Sequence, residues 1–458
     1  MSRARIRAIA IVAADAAVFS DLESHETRMA DKLIITNPKR TRSQNGRAAW
    51  YPYYAGFSYD FAYKLIDSAE LADGAVVMDD WNGSGTTTAA AAALNHHSYG
   101  FDLNPVMVVV AKARLLSTRE YPSMEPLCTE IIQQAKADTA ESKVDDPLHL
   151  WFVKNAANEV RKLERGIQHL LVDHDHYEAP ATRPDFDGMS GIGAFLYLAL
   201  FRTVRTLLKD FVPTNPTWVK TPRSPYARVR PTAETIFRAF RSEVVSMVDV
   251  EEPDLFERQQ GETNIRLNSS ESLPLPDESI RLAVGSPPYC TRIDYAVATK
   301  PELAVLGYTE ESIRVLRERL MGTSTVPKIA PDEQEQWGPT CLRFLHRVKR
   351  HNSHASDTYY YKNHVQYFRS LHRSVTEIRR VMTRDAQSVL VIQDSYYKDI
   401  RNDLAQVVTE MGSAHDLKVT QREDFSHSQT MAALNPWSRS YRKAFTAIES
   451  VLVFERAA

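Results

Sequence analysis

The stretch Ile280–Val284 (IRLAV) runs directly into Gly285–Tyr289 (GSPPY), and this junction decides how the chain folds. The first segment is mostly apolar, as expected for a parallel strand that is buried on both faces. Ligands of open α/β sheets bind at the carboxyl ends of such strands. Because consecutive prolines fix the backbone, we expect a carbonyl oxygen and the Ser286 hydroxyl to point into a pocket beside the Tyr289 ring. Such a pocket suits a flat ring that carries an amine.

A second strand, turn and helix is predicted earlier in the chain. Ala75–Asp79 (AVVMD) has the pattern of a buried strand, and Asp80–Thr87 (DWNGSGTT) then leads into an alanine-rich helix. Gly83 and Gly85 have no side chains to hold a ligand away from the backbone, and the helix amino terminus offers unpaired amides. The next strand ends at Asp102, where such folds hydrogen-bond a ribose. The turn lacks the third glycine of a dinucleotide fingerprint and the lysine of a P-loop.

Together these segments resemble motifs of the S-adenosylmethionine-dependent DNA amino-methyltransferases. The GSPPY segment resembles motif IV of that family, a serine, aspartate or asparagine followed by two prolines and an aromatic residue, and Ser-Pro-Pro-Tyr is most typical of the N4-cytosine branch. The turn resembles motif I and the segment after it resembles motif II. The residues that match these two motifs are Asp79, Gly83, Ser84, Gly85, Thr86, Thr87, Asp102, Asn104 and Pro105. Asp80 and Trp81 stand where the family usually has proline and phenylalanine.

The resemblance implies a site for S-adenosylmethionine over the glycine turn. An aromatic cluster at Arg47–Ser58 resembles motif X, which in this family packs around the methionine part of the cofactor. Family members commonly place an acid near position 269 to contact adenine, and this chain has Ser269 there. The residues expected to bind the cofactor are Tyr54, Phe57, Asp79, Gly83, Ser84, Gly85, Thr86, Asp102 and Ser269.

The resemblance also implies a catalytic group made of Ser286, Pro287, Pro288 and Tyr289, beside which a flipped cytosine would enter. The target amine would donate to the Ser286 hydroxyl and the Pro287 carbonyl, and Tyr289 would hold the ring by stacking. The Ser286 proton is expected to reach a ring nitrogen or carbonyl. Cys290 is not expected to be a nucleophile, because C5-cytosine enzymes have cysteine directly after the two prolines. N6-adenine methylation, RNA amine methylation and a catalytically silent nucleic-acid-binding subunit remain alternative functions.

The predicted fold is α/β, a Rossmann-like methyltransferase sheet with helices on both faces, interrupted by a mainly helical inserted domain. Regular alternation of strands and helices stops after the second motif, and helical periodicity follows. The predicted parts are a disordered tail (1–30), a cofactor-binding half (31–120), a helical insertion that is the candidate target-recognition domain (121–262) and a catalytic half (263–458). We expect the residues before Met29 to be dispensable.

A proline-rich, basic and aromatic loop at Phe211–Arg230 is the candidate surface for nucleic acid. Cationic side chains neutralise phosphates, and aromatic rings stack on bases or wedge between them. The residues expected to contact nucleic acid are Trp218, Lys220, Arg223, Arg228 and Arg230, together with Arg292 after motif IV. The alternative is a solvated interdomain loop, since most charged runs are simply hydrated.

Composition narrows the class of protein. The net charge of −2 provides no overall attraction to a polyanion, so a nucleic-acid surface has to be local. Three scattered cysteines are too few for a disulfide framework and favour a reducing cytoplasm. No apolar run has the length of a membrane span, and His174–His176 (HDH) lacks further ligands for a metal. The expected partner is DNA, with RNA still open, and a partner restriction or defence subunit is compatible with the family.

Overall fold

The computed structural model describes residues 32–39, 46–53, 55–172, 178–182, 186–212, 218–250, 261–290, 293–427 and 447–457. The expectations for the tail at residues 1–30, for Tyr54, for Arg292 and for His174–His176 lie outside these ranges.

A seven-stranded sheet organises the described part of the chain, in the order β3-β2-β1-β4-β5-β9-β8. Its strands are β1 (Val76–Asp79), β2 (His97–Asp102), β3 (Thr263–Leu267), β4 (Ile280–Gly285), β5 (Met382–Gln393), β8 (Leu417–His427) and β9 (Ala447–Arg456), and β6 (Ser395–Tyr397) with β7 (Ile400–Asn402) forms a separate hairpin. Neighbours among β1 to β5 pair in parallel, whereas β9 is antiparallel to both β5 and β8. The mostly parallel sheet agrees with the sequence prediction.

Helices connect and cover these strands. In chain order they are α1 (Tyr59–Asp67), α2 (Thr86–Ala93), α3 (Pro105–Arg114), α4 (Tyr121–Ala137), α5 (Lys154–Leu171), α6 (Gly191–Leu207), α7 (Ala233–Val248), α8 (Tyr295–Ala298), α9 (Lys300–Val305), α10 (Glu310–Arg319), α11 (Gly338–Arg350), α12 (Tyr361–Val381) and α13 (Leu404–Ser413). None of the helices in the described ranges is both long and apolar enough to cross a bilayer.

Apolar residues of β1 pack against helices on both sides of the sheet. Val76 and Met78 belong to a core with α11, α12 and α13, whereas Val77 belongs to a core with α1 and α2. Successive side chains of a strand point to opposite faces, so an uninterrupted apolar run needs cover on both. The expectation of an α/β sheet with helices on both faces is therefore confirmed.

Helices α4 to α7 share one hydrophobic core with α3, which precedes them, and with α9, which follows them in sequence. Side chains of α4 to α7 pack together with those of α3 and with Leu303–Leu306 at the end of α9. The helical character predicted for residues 121–262 is present, and the boundaries of an inserted domain remain a prediction. This shared core fixes α9, and therefore the chain that follows the GSPPY segment, against the helical region.

The segment between α11 and α12 is partly helical. Ser356–Tyr360 forms a π-helical turn, and α12 begins directly after it. The turn closes through hydrogen bonds from the Tyr359 and Tyr360 amides to the Ala355 carbonyl. Its aromatic side chains then pack against Tyr397 of β6, with 5.0 Å between the Tyr360 and Tyr397 ring centroids. The sequence of residues 351–361 shows the aromatic residues but not the distant hairpin on which they pack.

Buried charges hold α9 against the helical region. The Arg161 guanidinium donates to both carboxylate oxygens of Asp146 at 3.0 and 3.1 Å and to Glu164 at 3.2 Å. It also donates to the carbonyls of Val305 at 2.7 Å and Ala304 at 3.1 Å, at the end of α9. All three side chains are buried. A buried charge that loses its partner is strongly destabilising.

We predict that Arg161→Ala lowers the free energy of unfolding by about 3–5 kcal/mol, because Asp146 and Glu164 are left buried without their cation. Equilibrium unfolding in guanidinium chloride measures the change. Arg314→Ala is the control, since Arg314 pairs with Glu311 and Glu318 on an exposed surface of α10 and should lose much less stability. If both variants lose the same free energy of unfolding, Arg161 is not the charge that holds α9 against the helical region.

Candidate active site

A pocket opens at the carboxyl ends of β1, β2, β3 and β4, where the two sequence motifs meet. It encloses about 930 Å³ of space between protein atoms, its open mouth included. Residues predicted from sequence form much of its wall: Phe57, Asp79, Ser84, Thr86, Asp102, Ser269, Ser286, Pro287, Pro288 and Tyr289. The fold thus brings the glycine turn and the GSPPY segment to one cavity, although about two hundred residues separate them.

The two glycines of the turn are needed for its shape and do not line the pocket. Gly83 and Gly85 both have left-handed backbones, with φ of +49° and +83°. A Cβ on Gly83 would lie 2.8 Å from the Tyr53 ring, and one on Gly85 would lie 2.9 Å from the Ala111 Cβ. These positions therefore accept only glycine without movement of their neighbours. The glycines let the turn pack closely between Tyr53 and α3 and so place Ser84 and Thr86 on the pocket wall.

Arg114, at the end of α3, fixes the aromatic amino-terminal segment onto this turn. Its guanidinium donates to the carbonyls of Ser84 at 3.0 Å, Ala48 at 2.7 Å and Tyr51 at 3.0 Å. The side chain is buried. Tyr53 and Phe57 from this segment consequently line the pocket, as the resemblance to motif X implied for Phe57.

Asp102 braces the glycine turn. Its Oδ2 accepts from the Gly83 amide at 3.0 Å and its Oδ1 accepts from the Asn104 amide at 2.7 Å. Burial raises the pKa of Asp102 to about 6, although these two hydrogen bonds lower it. A carboxylate can accept further hydrogen bonds, so its position on the pocket wall still permits contact with a ligand hydroxyl.

Asp79 links the turn to the neighbouring strand. Its Oδ2 accepts from the Thr87 hydroxyl at 2.6 Å and its Oδ1 accepts from the Trp81 amide at 3.0 Å. The Thr87 hydroxyl also lies 3.2 Å from the Val284 carbonyl in β4. Burial raises the pKa of Asp79 to about 7. Asp79 and Thr87 therefore set the distance between the turn and the strand that carries GSPPY.

The GSPPY segment is held by three contacts. The Ser286 hydroxyl donates to the Val391 carbonyl of β5 at 2.9 Å. The Tyr367 hydroxyl donates to the Pro288 carbonyl at 3.0 Å, and the Tyr289 amide lies 3.4 Å from the Tyr295 hydroxyl. Because its proton is engaged by Val391, Ser286 faces the pocket as an acceptor. The expectation that this proton reaches the substrate ring is wrong for this arrangement.

Three buried polar atoms beside the turn have no hydrogen-bond partner within the described ranges. They are Asp80 Oδ2, Trp81 Nε1 and Asn82 Nδ2. All three residues line the pocket. Buried polar groups in native proteins are almost always satisfied, so these atoms indicate that a polar ligand completes the site. An amino-acid nucleoside such as S-adenosylmethionine, with its carboxylate, amine and ribose hydroxyls, fits that requirement.

Several wall residues were not predicted from sequence. Asn268 directly follows β3, so the rule that ligands bind at strand carboxyl ends could have found it. Tyr295 and Arg319 reach the pocket from α8 and α10, and no local pattern marks them. Glu271 also lines the wall and pairs with Arg373 at 3.3 Å.

The cysteines lie in buried positions. Cys128, Cys290 and Cys341 are all buried, and burial raises the pKa of the Cys341 thiol well above its usual range. In the part of the chain that the structure describes, no three histidine, cysteine or acidic side chains gather as a metal site.

The basic loop lies on the surface of the helical region. Trp218 and Tyr226 are 55% and 87% exposed, and Lys220, Arg223 and Arg230 are exposed as well. The loop is anchored by Trp151, whose Nε1 donates to the Lys220 carbonyl at 2.9 Å. Arg228 lines a second groove together with Trp151 and Lys300. Lys300 begins α9, just after the α8 helix that carries Tyr295 into the main pocket, so the segment 295–300 connects the pocket with this groove.

Comparison with characterised proteins gives one informative relative. The chain is 24% identical over 312 residues to the Type II methyltransferase M.BsoBI of Geobacillus stearothermophilus, covering 63% of this chain and 57% of the relative. No protein-family model matches the chain. The protein is thus similar to a Type II methyltransferase over most of its length, while spanning little more than half of that relative.

Proposed function

We propose that this protein is an S-adenosylmethionine-dependent DNA methyltransferase that modifies the N4 amine of a flipped cytosine at specific sites. The observation that carries the proposal is the single pocket in which the glycine turn, Asp102 and the Ser286–Tyr289 segment meet. Similarity to a Type II methyltransferase supports it. The observed strand order also supports a Rossmann-like methyltransferase sheet.

The cofactor would lie along the turn between Phe57 and Asp102. Tyr53 and Phe57 provide apolar surface, Asp102 would accept from ribose hydroxyls, and Ser269 with Asn268 would face the adenine. The unpartnered atoms of Trp81 and Asn82 would meet its polar groups. When bound there, S-adenosylmethionine supplies an electrophilic methyl group on a sulfonium.

The target amine would be oriented by acceptors only. Ser286 offers its oxygen lone pairs because its proton is donated to Val391, and the Pro287 carbonyl provides a second acceptor in the same segment. An amine conjugated to an aromatic ring is a poor nucleophile, so two acceptors that direct its protons also direct its lone pair. The half-buried Tyr289 ring would stack on the flipped ring.

Cytosine is preferred to adenine because serine is typical of the N4-cytosine branch at this position, whereas the acid or amide typical of adenine enzymes is absent. N6-adenine and RNA amines are the alternatives, since the same two acceptors would serve any exocyclic amine. A catalytically silent binding subunit is disfavoured by the pocket wall, which keeps the turn, Asp102 and GSPPY together. The exposed loop at Trp218–Arg230 would contact DNA phosphates and bases, which makes the helical region the candidate for target recognition.

Removing the Asp102 carboxylate should weaken S-adenosylmethionine binding. Charged hydrogen bonds of this kind contribute about 1.5–3 kcal/mol, so Asp102→Ala is expected to raise Kd roughly tenfold to 150-fold by calorimetric titration. Asp67→Ala, on the exposed end of α1, is the control and should bind as the wild type does. Since Asp102 also braces the turn, thermal unfolding of both variants is compared. Unchanged affinity in a folded Asp102→Ala protein would remove Asp102 from the site.

The basic loop should contribute electrostatic DNA affinity. Changing Arg223, Arg228 and Arg230 to alanine together should weaken binding to all DNA sequences alike and reduce the slope of log K against log salt by up to about three units. The matched control changes Arg343, Arg347 and Arg350 to alanine, which are exposed on α11 at the opposite face of the sheet. If both triple variants lose the same slope, the loop is only a solvated connection.

Mass spectrometry of nucleosides identifies the methylated base. DNA incubated with the enzyme and S-adenosylmethionine should contain N4-methylcytosine, and N6-methyladenine alone would contradict the cytosine assignment. Ser286→Ala should slow product formation by about a hundredfold or more, as expected when one preorganised hydrogen-bonding group is lost. Ser413→Ala, an exposed serine at the end of α13, should leave the rate unchanged. Methylation confined to RNA would favour the RNA alternative.

A further inference from the structure

Asp80 occupies the boundary between the cofactor turn and the GSPPY segment. It follows β1 directly and is only 2% exposed. Its Oδ1 lies 2.9 Å from the point that a Cβ on Gly285 would occupy, and Gly285 immediately precedes Ser286. The carboxyl group therefore lies on the pocket wall beside the start of the GSPPY segment.

The other carboxylates of this pocket are already engaged. Asp79 accepts from Thr87 and from the Trp81 amide, and Asp102 accepts from the Gly83 and Asn104 amides. Glu271 pairs with Arg373. In contrast, Asp80 Oδ2 is buried and has no hydrogen-bond partner among the residues that the structure describes. It is thus a buried carboxylate oxygen of this wall that no described protein group satisfies.

The proposed reaction needs a proton acceptor at this place. An amine that gains a methyl group becomes positively charged and must lose a proton to give the neutral product. Ser286 could accept this proton only by giving up the proton of its own hydroxyl. That hydroxyl already donates to a fixed backbone carbonyl, that of Val391. A carboxylate beside the amine can accept the proton.

Building on the proposed function, we propose that Asp80 Oδ2 accepts the proton that the target amine loses on methylation. The amine nitrogen forms the new C–N bond, while the C–S bond of the donor breaks and leaves its electron pair on sulfur. The N–H proton passes to Asp80, which returns it to water when the product leaves. The family usually has proline at this position, and proline cannot accept a proton. The proposed role is therefore specific to the aspartate of this chain.

The electrostatics of the pocket are compatible with that role. Burial, and then the neighbouring Asp79, raise the pKa of Asp80 well above its usual range. A sulfonium bound beside it would favour the carboxylate and lower that pKa. Besides Asp79, Asp102 and Glu271, the titratable or charged groups that face the pocket are Tyr53, Tyr289, Tyr295 and Arg319. Asp80 should therefore lose a proton when S-adenosylmethionine binds.

Calorimetric titration in two buffers of different ionisation enthalpy measures this proton without any methylation. At one fixed pH, the wild type should release more protons on binding S-adenosylmethionine than on binding S-adenosylhomocysteine, which has no sulfonium charge. Asp80→Asn should reduce this difference, and thermal unfolding shows whether the variant is folded. Asp67→Asn, the same change at an exposed carboxylate, should keep the difference.

Single-turnover methylation of DNA tests the proton transfer itself. Asp80→Asn should slow the reaction by about 10² to 10⁴-fold, the range typical of a lost general base. The wild-type rate should fall at low pH as Asp80 becomes protonated in the loaded enzyme, and the variant should lack this fall.

Three results separate this inference from the proposed function. If Asp80→Asn reacts at the wild-type rate with the same pH profile, the inference fails and the proposed function stands. If the variant loses cofactor affinity by the same factor as rate, Asp80 is a binding group and the inference is likewise wrong. If the wild type methylates no nucleic acid although it binds the cofactor, the proposed function fails and the inference with it.

Discussion

The hydrogen bond from the Thr87 hydroxyl to Asp79 is the interaction on which the site depends. It joins the end of β1 to the first turn of α2, and the same hydroxyl reaches the Val284 carbonyl of β4. The cofactor turn leaves β1 and the GSPPY segment leaves β4, so this contact sets the separation of the two halves of the pocket. A buried carboxylate that is satisfied by fixed donors holds its neighbours in one geometry.

Around this contact, the pocket is built by elements that are distant in sequence. Arg114 holds the aromatic amino-terminal segment on the turn, and Val391 holds Ser286 as an acceptor. On the side of the helical region, Arg161 fixes the end of α9, a few residues after Tyr295. Substrate recognition by the helical region and chemistry at GSPPY would therefore share one rigid connection, the segment 295–305.

The sequence predicted those features that depend on local patterns. The apolar runs of β1 and β4 follow from composition, and the glycine turn between β1 and α2 follows from turn chemistry. The hydrogen-bond partners of Ser286 and Asp102 could not be predicted, because a hydroxyl or carboxylate in sequence does not reveal which backbone group it will contact. Helical periodicity after Tyr121 likewise showed an apolar face, but not that this face would pack on α3 and α9. Asp80 appeared in sequence only as a departure from the family's proline, and its significance came from its burial beside Gly285.

The central claim is that one pocket holds both the methyl donor and the target amine. A crystal structure of the protein with S-adenosylhomocysteine tests this claim most directly. The account predicts the ribose at Asp102, the adenine near Ser269 and the sulfur facing the gap between Asp80 and Ser286. Ligand density in another cavity, or with the sulfur directed away from Ser286, would contradict it.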